Sequence, residues 1–281
     1  MNSIQTPDNF INQNPSISIL GCGWLGLPLG EFLAAKGYAV KGSTTSPEKL
    51  KKLQAVGIEP FLLSVHSGDI DGENTASFFD SELLIINIPP ARRNPNVEQD
   101  HPAQIKTIFS HYQGYKIIFV SSTGVYPESG VVTEATPTAP TRKSAKAVAK
   151  AEQFLQELKN VELSILRLAG LVGGERQAGR FFAGKKDVSD PQKPVNMVHR
   201  EDVIRVIYEL IRQEKWNEIY NVCADEHPSK KAFYQAQARK LGLEIPEFVE
   251  AIGNQVYKTV SNEKVKRELS YTFIYDDPMQ F

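Results

Sequence analysis

The chain has very little cysteine, no long apolar run and no surplus of charge of either sign. Two cysteines in 281 residues, Cys22 and Cys223, make neither a disulfide framework nor a metal-ligand spacing. No apolar stretch approaches the ~20 residues that a bilayer-spanning helix needs. With 32 basic and 33 acidic residues the net charge is -1, which leaves no electrostatic attraction for nucleic acid or an anionic membrane. The polar segment Met1–Pro15 lacks the basic start and apolar centre of a secretory signal. These absences lead to the expectation of a cytoplasmic protein, monomer or homodimer, that acts on small molecules.

What is present is an alternation of apolar runs and helical periodicities. Ser16–Leu20 reads as a strand, and Leu25, Leu29, Phe32 and Leu33 have helical spacing up to Gly37, a natural C-cap. Tyr38–Lys41 reads as a second strand, followed by a helix capped by Ser46 with Pro47 in its first turn. Strands follow at Pro60–Ser64, Leu83–Ile88, Lys116–Ser121 and Leu163–Leu168, with helices at Pro102–Tyr112 and Ser144–Leu158 between them. Beyond Gly170 the pattern turns glycine-rich and basic, then gives a helix at Arg200–Gln213, a strand at Ile219–Val222, a helix at Ser229–Leu241 and a late strand at Tyr271–Tyr275. The fold class expected is α/β: a Rossmann-type doubly wound parallel sheet with a small C-terminal substrate lobe. Residues 1–14 form a polar tail, 15–170 the nucleotide-binding domain and 171–281 mainly the lobe, with 199–224 packing back on the sheet.

Gly21-Cys22-Gly23-Trp24-Leu25-Gly26 joins the first strand to the first helix. In that setting G-x-G-x-x-G brings backbone N–H groups at a helix N-terminus close to a pyrophosphate: Gly21 makes the turn, Gly23 admits the phosphates and Gly26 lets the helix pack. The bulky Trp24 packs on the lobe or on the cofactor. After the second strand the chain offers Lys41-Gly42-Ser43-Thr44-Thr45-Ser46, a stretch without a carboxylate, with Lys41 or Lys49 near enough to accept a 2′-phosphate. That favours NADP over NAD, although NAD remains open.

After the glycine-turn segment Gly21–Gly30 (GCGWLGLPLG), five further segments follow in order: Ser121–Tyr126 (SSTGVY), Arg167–Gly173 (RLAGLVG), Arg180–Lys185 (RFFAGK), Val195–Val203 (VNMVHREDV) and Tyr220–Val222 (YNV). With these the sequence resembles the extended short-chain dehydrogenase/reductase superfamily of epimerases and dehydratases, most closely its atypical YeeZ-like branch. The resemblance implies that Ser122, four residues before Tyr126, hydrogen-bonds the reacting oxygen. It also places the family's catalytic Tyr and Lys at Ser144 and Val148, counting back from Glu152, so both are expected to be absent. Tyr112-x-x-x-Lys116 matches the pair literally but precedes the Ser122 strand and is read as a decoy.

Other candidates come from the crevice edges. Pro89 and Ser121 are assigned to the cofactor with Gly21, Gly23, Trp24, Leu25 and Gly26. Arg92 and Arg93 follow the fourth strand and hold a phosphate or carboxylate, or else are solvated loop arginines. Arg180 and Arg200 are assigned to the substrate. His199 is either a proton donor or a structural residue beside Asp202, which is expected to cap its helix, and Tyr126 is a candidate replacement acid. Two functions stay open: an NAD(P)-dependent oxidoreductase or epimerase on a small substrate, and a non-catalytic dinucleotide-binding sensor.

Overall fold

The computed structural model describes residues 14–250 and 256–281; the tail expected at 1–14 falls almost wholly outside them. In chain order the strands are β1 Ile17–Leu20, β2 Val40–Thr44, β3 Glu59–Val65, β4 Ile70–Gly72, β5 Leu83–Ile86 and β6 Lys116–Ser122. They continue with β7 Gly130–Val132, β8 Glu162–Leu168, β9 Gly170–Val172, β10 Met197–His199, β11 Ile219–Val222 and β12 Lys258–Val260. The helices are α1 Gly26–Ala35, α2 Leu50–Ala55, α3 Thr75–Phe79, α4 Val97–Ile108, α5 Lys143–Glu157, α6 Arg200–Arg212, α7 Lys230–Lys240 and α8 Glu263–Leu269.

One eight-stranded sheet runs β11-β8-β6-β5-β1-β2-β3-β4. Every pairing in it is parallel except β3 with β4. β1 and β5 are buried along their whole length, as strands covered on both faces must be, which is why their residues read as continuous apolar runs. The chain winds from β1 out to β3 and then returns to β5 on the other side. A crevice therefore opens beyond the carboxyl ends of β1 and β5, the place where such sheets receive ligands.

The C-terminal part is held differently. β9 pairs with β10 and β12 with β7, and a small apolar cluster of Val172, Ala178, Val195, Met197 and Phe233 packs apart from the main core. β11 joins the edge of the large sheet.

Several local expectations need correction. Tyr271–Tyr275 forms no strand, because its polar groups go to Asp202: Tyr271 Oη donates at 2.7 Å, Ile274 N–H at 2.8 Å and Tyr275 N–H at 3.1 Å. Asp202 is accordingly fully buried within α6 and does not cap it. His199 does so, its Nδ1 accepting from Glu201 N–H at 3.3 Å. α4 begins at Val97 and carries Pro102 inside it. Ser46 makes no side-chain cap, and the turn after it is a short 3-10 segment at Pro47–Lys49.

Candidate active site

The glycine turn lies at the switch between β1 and β5. Gly21 has φ +103°; its N–H donates to Ser43 Oγ at 2.9 Å and its carbonyl accepts from Asn87 Nδ2 at 2.9 Å. A Cβ on Gly21 would stand 2.7 Å from the Asn87 carbonyl, and one on Gly26 would run into the Gly21 carbonyl. Both glycines are therefore demanded by the closure of the turn itself. Gly23 is different: a Cβ there would meet no heavy atom within 4 Å. Among the described residues no protein acceptor takes the amides of Gly23, Trp24 and Leu25, and Leu25 supplies no side-chain cap to α1. Unpaired N–H groups at a helix N-terminus, above a residue without a side chain, form a cradle for anionic oxygens.

The second strand runs Val40–Thr44 and not Tyr38–Lys41, so Ser43 and Thr44 end it while Thr45 follows it, and the three hydroxyls divide. Ser43 is buried and spent on the Gly21 amide, so it shapes the turn and does not reach outward. Thr44 is buried as well, accepting from Ser46 N–H at 3.2 Å, while Thr45 is exposed. Lys41 turns away, donating to the Ser77 and Asp80 carbonyls at 2.7 Å each, which removes it as a phosphate ligand. Cys22 sits in the turn but is inert: burial pushes its thiol up to about 12, against a smaller lowering by the Ser43 backbone, and burial does the same to Cys223.

Ser122 ends β6 exposed, its Oγ accepting from Gly124 N–H at 3.1 Å. Its neighbour Ser121 points the other way, into the body, where Glu152 accepts its hydroxyl hydrogen bond. Arg167 Nη2 lies 2.6 Å from the other Glu152 oxygen, and Arg167 Nη1 donates to Tyr126 Oη at 2.8 Å. Tyr126 Oη in turn donates to Asn221 Oδ1 at 2.8 Å. Tyr126 is fully buried, and burial raises its pKa despite the neighbouring Arg167. Ser121 and Tyr126 are thus members of an internal network, which corrects their assignment to cofactor and proton transfer. Ser144 and Val148 lie in the first turns of α5, Val148 buried, and the literal Tyr112–Lys116 pair is structural. Tyr112 Oη donates to the Lys116 carbonyl at 2.8 Å, with the Glu82 carbonyl at 3.1 Å as the alternative acceptor, and Lys116 Nζ is 3.4 Å from Glu214.

The basic candidates also separate. Arg180 is exposed, its Nε donating to Gln177 at 3.1 Å. Arg92 and Arg93 are exposed on the loop after β5, and Pro89 is exposed at its start. Arg200 reaches across from α6, its guanidinium 5.1 Å from the Trp24 ring centre and Nη1 3.3 Å from the Trp24 carbonyl. Arg176, unmarked in the sequence among the loop glycines, approaches the same ring at 5.5 Å. His199 is occupied as a cap and stacks on Tyr275 with ring centres 3.8 Å apart; burial lowers its pKa. That environment fits the structural alternative for His199 and not proton transfer.

Among the described residues no group of His, Cys, Asp and Glu could hold a metal, and no helix is long and apolar enough to cross a membrane. A cavity of about 530 Å3 lies elsewhere, against Glu134, Lys150, Glu152 and Arg167; none of its lining residues comes from the glycine turn or the 87–93 loop.

Comparison with known proteins decides the family. No family model matches the chain. Protein YeeZ of Escherichia coli K12 is 37% identical over 268 residues, which cover 94% of this chain and 97% of that protein. The chain belongs to the YeeZ family. Two solved structures share the fold of this chain. A short-chain dehydrogenase/reductase superfamily protein of Agrobacterium tumefaciens with bound NAD superposes with a TM-score of 0.76 at 18% identity, covering 94% of each chain. UDP-glucose 4-epimerase of Thermotoga maritima with UDP-glucose gives 0.76 at 17%, covering 94% of this YeeZ-family chain and 96% of the epimerase.

Proposed function

We propose that this YeeZ-family protein binds a nicotinamide dinucleotide on the glycine turn and acts as an oxidoreductase or epimerase on a small substrate. The observation that carries the reading is the open space at Gly23 beneath the unpaired amides of Gly23, Trp24 and Leu25. The bound NAD of the A. tumefaciens structure supports it. When bound, the cofactor would supply hydride transfer. Thr45 and Ser46, in a stretch Lys41–Ser46 that holds no carboxylate, favour NADP over NAD. The exposed Ser122 hydroxyl at the carboxyl end of β6 would orient the reacting oxygen of the substrate.

Ser122→Ala should lower turnover about 10²–10³-fold, the usual effect of removing one donor to a reacting oxygen. Cofactor affinity should stay unchanged. The readout is deuterium transfer from reduced, labelled cofactor to a panel of carbonyl compounds, and wild-type rates in the variant would remove Ser122 from the mechanism.

A second reading, a non-catalytic dinucleotide sensor, is favoured by one observation: a buried Val148 stands where the family resemblance places the catalytic lysine, with Ser144 at the tyrosine position. Label transfer to any compound of the panel would dismiss it.

A further inference from the structure

The lobe places uncompensated positive charge over the glycine turn. Arg176, in the turn that follows β9, and Arg200, at the start of α6, both face the Trp24 ring. Gly174 makes room for this: a Cβ there would stand 2.6 Å from Arg200 Nη2. Arg92 approaches from the loop after β5, and its charge adds to burial in lowering the Arg176 pKa. Among the described residues no carboxylate lies within ion-pair distance of Arg92, Arg176 or Arg200, whereas arginines elsewhere, such as Arg167 and Arg212, have one.

Two buried donors at this point also have no partner: Arg200 Nε and Trp24 Nε1. Arg176 is exposed and Arg200 half-buried, so solvent screens part of their repulsion, but the buried Arg200 Nε and Trp24 Nε1 stay unsatisfied unless an acceptor joins them. The Trp24 ring face offsets part of the repulsion through cation–π attraction, but it accepts no hydrogen bond of ordinary strength. Planar guanidinium groups suit the paired oxygens of a phosphate, and the amides of Gly23, Trp24 and Leu25 belong to the very turn that Trp24 occupies.

We propose that Arg176 and Arg200 from the lobe clamp a pyrophosphate against the glycine turn. The inference rests on the proposed function in one respect, that the pyrophosphate is that of a dinucleotide. It adds a role for the lobe: the anion is gripped from both sides, so binding ties the lobe to the nucleotide-binding sheet.

The test is calorimetric titration of the intact protein with inorganic pyrophosphate, NAD and NADP, in wild type, Arg176→Gln, Arg200→Gln and the surface control Arg239→Gln. Each clamp substitution should weaken pyrophosphate and dinucleotide at least tenfold, and the loss should shrink as salt rises. Arg176→Lys should recover part of the affinity, and unfolding midpoints should stay near wild type. Unchanged affinity in both clamp variants, or no pyrophosphate binding by wild type, would overturn the clamp. Arginine-dependent pyrophosphate binding in a protein indifferent to both dinucleotides would overturn the cofactor assignment and uphold the clamp for a phosphate of other origin.

Discussion

Gly23→Ala is expected to weaken dinucleotide binding at least tenfold while leaving the unfolding temperature unchanged. The separation follows from the space around the residue. No heavy atom lies within 4 Å of the added methyl and the backbone there needs no left-handed conformation, so the folded protein has nothing to resist. The methyl would instead occupy the room through which phosphate oxygens approach the amides. Gly26→Ala should behave differently, since its methyl runs into the Gly21 carbonyl that Asn87 holds in place. Overpacking of that kind costs about 1–3 kcal/mol, so stability and binding should fall together. Titration calorimetry paired with thermal unfolding separates the two effects. Wild-type affinity in Gly23→Ala would mean that no phosphate lies over that residue.

The largest loss of stability is expected from Glu152→Ala. Glu152 and Arg167 are 2% and 4% exposed, and removing one partner leaves the other charge buried without its counter-charge. Breaking such a pair costs about 3–5 kcal/mol, a large part of the ~5–15 kcal/mol that holds a typical domain together. The unfolding midpoint should drop by about 10 °C. Glu152→Gln keeps an acceptor for Ser121 and for Arg167 and should recover part of the loss. The same network fixes the end of β6 next to Ser122, so Glu152→Ala should also reduce turnover at temperatures where the protein stays folded. A midpoint within 2 °C or so of wild type would show that the pair adds little.

Much of the sheet was legible because its strands are buried on both faces and read as unbroken apolar runs; Ile219–Val222 and the span from Lys116 differ from expectation by a residue at most. The strands β7, β9, β10 and β12 were not legible. Each is three residues long, and its pairing depends on contacts across the chain and not on a local pattern. Asp202 looked like a cap because it stands near the start of a helix. What decides its role is the segment 271–275, some seventy residues on, whose N–H and hydroxyl groups converge on its carboxylate.

The site divides the same way. The glycine turn is a local motif whose geometry follows from the absence of side chains, and it was readable from six residues. The place of Tyr126, a candidate replacement acid by sequence, depends on its hydrogen bonds to Arg167 and Asn221, 41 and 95 residues away, which no local pattern reveals. Arg176 left no mark, since a basic residue in a glycine-rich loop looks like any solvated side chain until Trp24 is seen beside it.

The central claim is that the cradle above Gly23 holds a nicotinamide dinucleotide. Calorimetric titration of the wild-type protein with NADP and with NAD tests it most directly. The expected result is saturable binding of one dinucleotide per chain, tighter for NADP and lost in Gly23→Ala. Absence of binding for both, in a protein that unfolds cooperatively, would contradict the account.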